Sequence, residues 1–96
     1  MNKIQLNQIR RKILELLYIQ SRKCSSYVKI EFLFKNNKWI DKKDLLNQID
    51  YLKIKGYIKS KQINDGFINI DKITITSKGT YLIENEDILN SKFPIE

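Results

Sequence analysis

Side chains that can contact bases and phosphates are concentrated between residues 41 and 61, in the stretch DKKDLLNQIDYLKIKGYIKSK. A lysine ammonium group donates to guanine O6 and N7 or to phosphate, and the amides of asparagine and glutamine pair bidentately with adenine. The stretch brings these types together in Lys42, Lys43, Asn47 and Gln48. The segment is therefore a candidate surface for base and phosphate contact.

The apolar residues of the same stretch predict the helix that must position these side chains. Leu45, Ile49 and Leu52 recur at i, i+4 and i+7, which places one apolar stripe on a core. Asp41 is the predicted N-cap, because its carboxylate can accept from N–H groups that the first turn leaves unpaired. Gly56 is the predicted end, since glycine adopts the left-handed conformation at little cost. The basic and amide side chains are then expected on the outer face of this helix.

Two further residues of this helix, Tyr51 and Lys53, are predicted to reach a sugar–phosphate backbone. Asp44 and Asp50 oppose anion binding, so we expect one or both of them to turn aside. The alternative interpretation is an ordinary solvated helix face, on which the charged side chains serve only solubility.

A β-hairpin is predicted directly after the glycine. Residues 57–63 alternate loosely between apolar and polar, and Asn64-Asp65-Gly66 supplies residues that tolerate positive φ in a turn. A return strand is predicted over residues 67–75. The apolar parity changes along this second strand, which predicts a β-bulge near Asp71 and Lys72.

The hairpin carries its own candidate anion contacts. Lys59 and Lys61 lie two residues apart, so a strand places them on one face, and Asn64 lies at the predicted tip. These side chains suit phosphate or minor-groove contact. Lysines also protect exposed strand edges from aggregation, and that alternative stays open.

The N-terminal third predicts one long helix and one short element. Apolar residues recur at helical spacing over residues 5–20. Residues 27–34 predict a short helix with Ser25 or Ser26 as its cap, but their β-branched and aromatic content also fits a strand.

The C-terminal segment predicts a last helix. Thr76 or Ser77 can cap it, and acidic residues at its far end favour a stop near Asn85, because carboxylates interact unfavourably with a helix C-terminus. An irregular tail is predicted over about residues 90–96.

The predicted order of helix, short helix, helix, strand, strand and helix resembles the winged helix-turn-helix superfamily, in particular the DNA-binding module of MarR-like and PadR-like transcriptional regulators. The resemblance covers roughly residues 9–83. One part of it is the helix end at Leu52, Gly56, Tyr57 and Ile58, with Leu45 and Ile49 before it; the other is the junction Ile75-Thr76-Ser77-Lys78-Gly79, with residues 81–84 behind it.

This resemblance implies an α+β fold with three helices, a two-stranded β-hairpin wing and a C-terminal helix. It also implies a small sequence-specific DNA-binding protein. Its recognition helix, about 41–55, would enter the major groove, and its wing, about 57–75, would contact the backbone. Winged helices also serve as protein-binding modules, so an adaptor without direct DNA binding is the alternative function.

The distribution of charge favours a polyanionic partner. The chain has 96 residues and a net charge of +7; residues 1–63 contain 15 Lys and Arg against 5 Asp and Glu, whereas residues 64–96 contain 3 against 6. Basic surfaces attract nucleic acids because neutralised phosphates release condensed counterions. The alternative is a solvated lysine-rich surface: alanine is absent while Lys, Ile and Asn are abundant, a bias that AT-rich coding alone can produce.

Double-stranded DNA is the expected partner. We also expect the chain to pair with a second copy of itself. The helix from Ile4 to Ile19 is apolar enough to bury one face on its own core and another on a symmetry mate, so we expect a homodimer. A protein adaptor would instead expose an aromatic cluster, because aromatic anchors dominate protein interfaces. The candidates for that cluster are Tyr27, Phe32, Phe34 and Trp39.

Composition argues against an enzyme, a metal site and a bound cofactor. Histidine is absent, cysteine occurs once, and no glycine-rich phosphate loop is present. The usual general base and the common zinc ligand sets are therefore missing. Cys24 follows Arg22 and Lys23, and neighbouring cations lower a thiol pKa, so a redox sensor is an alternative to an ordinary small residue.

The length predicts a single domain over residues 1–96. Apolar runs are too short to span a bilayer, and the N-terminus shows no signal or transit pattern. We expect a cytoplasmic protein.

Overall fold

The computed structural model describes residues 2–23, 27–65 and 68–95, and between residues 62 and 71 it describes backbone only. The helices are α1 (Lys3–Ser21), α2 (Ile30–Asn36), α3 (Lys42–Ile54), α4 (Ser77–Glu84) and α5 (Glu86–Lys92), and the strands are β1 (Val28–Lys29), β2 (Ile58–Asp65) and β3 (Ile68–Ile75). The predicted α+β class is confirmed.

Helix α1 confirms the long N-terminal helix and begins slightly earlier than predicted. The Asn2 side chain accepts from the backbone N–H of Gln5 at 2.8 Å, and the Gln5 side chain accepts from the backbone N–H of Asn2 at 3.1 Å. This capping box satisfies two N–H groups at the helix start. Ile9, Ile13 and Leu17 form its buried stripe.

The sequence left helix and strand open for residues 27–34. The structure has a strand, β1, at the start of this segment and a helix, α2, after it. β1 pairs antiparallel with β3 through Val28↔Ile73 and Lys29↔Lys72, and the sheet order is β1-β3-β2. The expected two-stranded sheet is therefore a three-stranded one. The predicted serine cap is wrong, because the N-cap of α2 is Lys29 and makes no side-chain capping bond.

Helix α3 has the predicted ends. The Asp41 carboxylate accepts from the backbone N–H of Lys43 at 2.8 Å. Gly56 has a φ of 82°, the left-handed conformation that glycine tolerates. Leu45, Ile49 and Leu52 are fully buried, as their spacing predicts.

The hairpin of β2 and β3 is confirmed, but its predicted bulge is not. Pairing runs from Ile58↔Ile75 to Asp65↔Ile68 without an inserted residue, and it includes Lys61↔Lys72. The change of apolar parity near Asp71 and Lys72 therefore does not come from a bulge. The predicted turn residue Gly66 lies outside the described residues.

The C-terminal region forms two helices. Thr76 caps α4, since its hydroxyl accepts from the backbone N–H of Gly79 at 3.1 Å, and α4 ends at Glu84 as predicted. α5 was not predicted. It extends to Lys92, so the irregular segment begins at Phe93 instead of residue 90.

One cluster of buried side chains joins the helices to the inner face of the sheet. Its members are Ile9, Ile13, Leu14, Leu17, Val28, Leu33, Ile40, Leu45, Ile49, Leu52, Tyr57, Ile58, Ile73, Ile75, Leu82, Leu89 and Phe93. At its margin the Tyr18 hydroxyl donates to Glu84 at 2.9 Å, and this hydrogen bond raises the pKa of Tyr18 above its ordinary value of 10.0. Within the described residues no helix has the length and apolar character needed to cross a membrane.

Candidate nucleic-acid interface

The outward stripe of α3 combines a cation, an amide and a carboxylate. Lys43, Asn47, Asp50 and Ile54 follow one another at i, i+4, i+7 and i+11 and are all exposed. They lie opposite the buried leucine and isoleucine stripe, because a helix turns once in 3.6 residues. The structure thus presents Lys43 and Asn47 to solvent, as predicted.

These two side chains are available to a ligand. Neither the Lys43 ammonium group nor the Asn47 amide has a hydrogen-bond or ion-pair partner among the described residues. Lys42 is exposed as well, and its Nζ lies 4.9 Å from the centroid of the Phe34 ring. An exposed cation–π contact contributes only about 0.5–1 kcal/mol, so Lys42 can move to a phosphate at small cost.

The prediction that Gln48 points outward is wrong. Only 7% of Gln48 is exposed, and its Oε1 accepts from Arg10 Nε at 2.8 Å. Gln48 is three residues after Leu45 and four before Leu52, so it shares their side of the helix. That spacing was visible in the sequence; the Arg10 partner that makes burial of an amide tolerable was not.

The Tyr51 ring makes contacts inside the molecule, and its reach to a sugar–phosphate backbone stays a prediction. The Arg10 guanidinium lies 3.8 Å from the Tyr51 ring centroid, and the ring meets Phe93 edge-on at 6.4 Å. Tyr51 is half-buried between α1 and the C-terminal segment. These contacts give the Tyr51 ring a structural role.

Arginines of α1 fix the C-terminal segment in place. Arg11 donates to the Asn90 side chain at 2.8 Å and to the Phe93 carbonyl at 3.2 Å. The Asn7 amide donates to the Pro94 carbonyl at 2.9 Å and accepts from Arg10 at 3.2 Å. These contacts give both arginines structural roles.

The two aspartates of α3 differ in position. Asp44 is half-buried and lines a groove with Trp39 and Gln5, so it turns aside as expected. Asp50 stays on the outward stripe, 3.6 Å from Lys53 Nζ. An exposed pair of this kind contributes little, so Lys53 remains able to contact a phosphate.

Exposed apolar side chains accompany the polar ones on and near α3. Ile54 is 83% exposed, Trp39 65% and Leu46 41%. Phe32 and Phe34 are half-buried and pack on the core, and Tyr27 is half-buried at the sheet. The four predicted aromatics therefore do not form one exposed cluster.

The hairpin lysines lie where they were predicted. Lys59 and Lys61 are exposed and share one face of β2. Lys61 Nζ lies 5.8 Å from the centroid of the Tyr27 ring. The side chain of Asn64 lies outside the described residues. Sequence reasoning missed Lys29 and Lys72. Lys72 lies opposite Lys61 because the hairpin pairs without the predicted bulge, and Lys29 lies opposite Lys72 through the pairing of β1 with β3.

A hydrogen-bonded junction fixes α3 relative to the hairpin. The Tyr57 N–H donates to the Leu52 carbonyl and the Thr76 N–H donates to the Tyr57 carbonyl, both at 3.0 Å. The Thr76 hydroxyl donates to the Gly56 carbonyl at 2.6 Å, and Lys78 Nζ donates to the Lys55 carbonyl at 2.8 Å. The exposed polar side chains of α3 and those of the hairpin thus lie on elements that are joined by fixed hydrogen bonds.

Among the described residues, no three or more His, Cys, Asp or Glu side chains lie close enough together to hold a metal ion. Cys24, the candidate redox residue, lies outside the described residues.

Comparisons with protein-family models, with curated proteins and with solved structures find no match to this chain.

Proposed function

We propose that this chain is a small winged helix-turn-helix protein that binds duplex DNA in a sequence-selective way. In this proposal α3 enters the major groove and the β2–β3 hairpin contacts the backbone. The observation that carries it is the outward stripe of α3, where Lys43 and Asn47 are exposed and have no hydrogen-bond or ion-pair partner among the described residues, beside a hairpin that presents Lys59 and Lys61.

The architecture supports this proposal. Three helices precede the hairpin and two helices follow it, and the three-stranded antiparallel sheet is compatible with a winged helix. The fixed junction at Gly56 and Thr76 is what a two-part contact requires, because base readout and backbone contact must keep one register on the duplex.

The chemistry of the stripe supports selective binding over binding to any duplex. The Asn47 amide can pair with adenine N6 and N7, and Lys43 can donate to guanine O6 and N7. Asp50 can accept a hydrogen bond from cytosine N4 at a matching site. At other sequences its negative charge repels the phosphates. Lys42 and Lys53, which lie on the same side of the stripe, are assigned to phosphates.

A transcriptional regulator acting as a homodimer is the form of this function that we propose. Ile4, Ile19 and Tyr81 are exposed large side chains outside α3 and the sheet, and they supply apolar surface for a second copy. A two-fold dimer places its recognition helices about 34–36 Å apart, one turn of duplex. A palindromic site is the expected consequence.

The second candidate is a winged-helix adaptor that binds a protein and not DNA. It is favoured by the exposure of Ile54 and Trp39, since such side chains anchor protein interfaces. Selection of bound sequences from random duplexes separates the two functions.

In that selection we expect the wild-type chain to enrich one palindromic motif, and the Asn47→Ala variant to lose preference at one base pair of each half-site. Lys92→Ala, a change at the end of α5, is the control and should recover the wild-type motif. Enrichment of no sequence, together with no detectable duplex binding at low salt, would favour the adaptor.

A further inference from the structure

The three strands align three lysines in one row. Lys29 of β1 and Lys61 of β2 both lie directly opposite Lys72 of the central strand β3. Directly opposed residues of antiparallel strands point to the same face of a sheet. Neighbouring strands lie about 4.8 Å apart, so the row, Lys29-Lys72-Lys61, spans about 10 Å from the first Cα to the last.

The row lies on the outer face of the sheet. Val28 and Ile73, the neighbours of Lys29 and Lys72, are buried in the core, and successive residues of a strand point to opposite faces. Lys29 and Lys61 are exposed and Lys72 is half-buried. Lys59, two residues before Lys61, adds a fourth cation to this face.

The row is electrostatically unfavourable in the protein by itself. Like charges directly opposite each other destabilise a sheet. None of the three ammonium groups forms an ion pair with a carboxylate of the described side chains. Lys61 Nζ lies 5.8 Å from the centroid of the Tyr27 ring, and this contact is a weak compensation for the like charge of Lys72 opposite it.

Duplex DNA matches such a row better than an acidic protein does. A duplex carries one negative charge per about 1.7 Å of axis, hence roughly six charges over 10 Å. An acidic protein would need a particular arrangement of carboxylate side chains to present as many charges over that length. Lysine is a flexible point charge, suited to phosphates and not to a directional bidentate contact.

We propose that the outer face of the three-stranded sheet is a second phosphate-binding surface, in which Lys29, Lys72 and Lys61 contact the backbone of the duplex that α3 reads. This inference rests on the proposed function. It extends the backbone contact from the hairpin lysines to the centre and far edge of the sheet, and it assigns Lys29 and Lys72 to affinity but not to sequence preference.

The test is a salt series of duplex binding with the double variant K29Q/K72Q. The matched control is K3Q/K92Q, which removes the same charge from the ends of α1 and α5. We expect K29Q/K72Q to lower affinity about tenfold or more at 0.1 M salt, and to make the slope of log K against log salt less negative by about 1.8, as two lost phosphate contacts require. The control should stay within about twofold of wild type.

A thermal measurement on the same variants adds a second readout with the opposite sign. K29Q/K72Q removes two like-charge pairs, so its Tm should rise by about 1–6 °C while its affinity falls. A folding defect would lower both quantities.

This inference would be overturned if wild type binds duplex DNA and K29Q/K72Q has the same affinity and salt slope as K3Q/K92Q. The proposed function would then still stand. A loss confined to heparin, with duplex affinity unchanged, would overturn this inference too and assign the row to another polyanion. No duplex binding by wild type at low salt would overturn both.

Discussion

Two neighbouring amides on α3 have opposite roles. Asn47 is exposed and has no hydrogen-bond partner in the part of the chain that the structure describes, whereas Gln48 is buried and accepts from Arg10. The difference follows from position on the helix, since Gln48 lies on the side of the apolar stripe and Asn47 on the opposite side. In the proposed function Asn47, and not Gln48, is the amide that contacts a base.

Alanine substitutions should separate these roles. Asn47→Ala should weaken binding to the selected site by about 1–3 kcal/mol, the magnitude of one bidentate base contact, and leave the free energy of unfolding almost unchanged. Gln48→Ala should lower the free energy of unfolding by about 1 kcal/mol, because Arg10 loses its acceptor. Urea denaturation and duplex titration of both variants measure the two effects. A stability loss in Asn47→Ala equal to that in Gln48→Ala would contradict this assignment.

At the scale of elements, the spacing of residue types predicted the features of α3 and α4 that depend on residues close in the sequence. The buried stripe of α3, its Asp41 cap and its Gly56 end follow from spacing and residue type, and so does the Thr76 cap of α4. Gln48 was misplaced because its partner lies 38 residues away on α1.

Tyr51, β1 and α5 escaped prediction for a related reason. The position of Tyr51 depends on Arg10 and on Phe93 in the C-terminal segment. β1 is only two residues long and is defined by its pairing with β3, which no short-range pattern contains. The lysine row across the sheet was therefore invisible before the strands were paired.

The junction between α3 and the hairpin depends on a glycine that has no room for a side chain. A Cβ added at Gly79 would collide with the Tyr57 carbonyl oxygen, a backbone atom that cannot turn away. We expect Gly79→Ala to lower the free energy of unfolding by about 1–3 kcal/mol through overpacking.

Gly56→Ala provides a comparison in the same junction. An added Cβ there meets only the end of Lys78, at 3.9 Å, but the φ of 82° is costly for alanine, about 1–2 kcal/mol. Both variants should weaken duplex binding beyond their effect on stability, since they alter the angle between α3 and the hairpin. A Gly79→Ala protein as stable as wild type would refute the close contact.

At the scale of the whole molecule, the lysines that the structure places on α3 and on the sheet come from the basic part of the chain, residues 1–63, with the exception of Lys72. The proposed contacts divide between them: Lys43 and Asn47 for bases, and Lys42, Lys53, Lys59 and the lysine row for phosphates. Binding should therefore be strong at low salt and should weaken steeply as salt rises, because each phosphate contact releases counterions.

The most direct test of this account is a duplex-binding titration across a salt series, comparing wild type with a variant in which Lys42, Lys43, Lys59 and Lys61 are alanine. The account predicts tight binding by wild type at low salt. The slope of log K against log salt should become less negative by about 2.7 in the variant, about 0.9 for each of the three phosphate contacts assigned to Lys42, Lys59 and Lys61. Binding that is undetectable at low salt, or that is the same for both proteins, would contradict it.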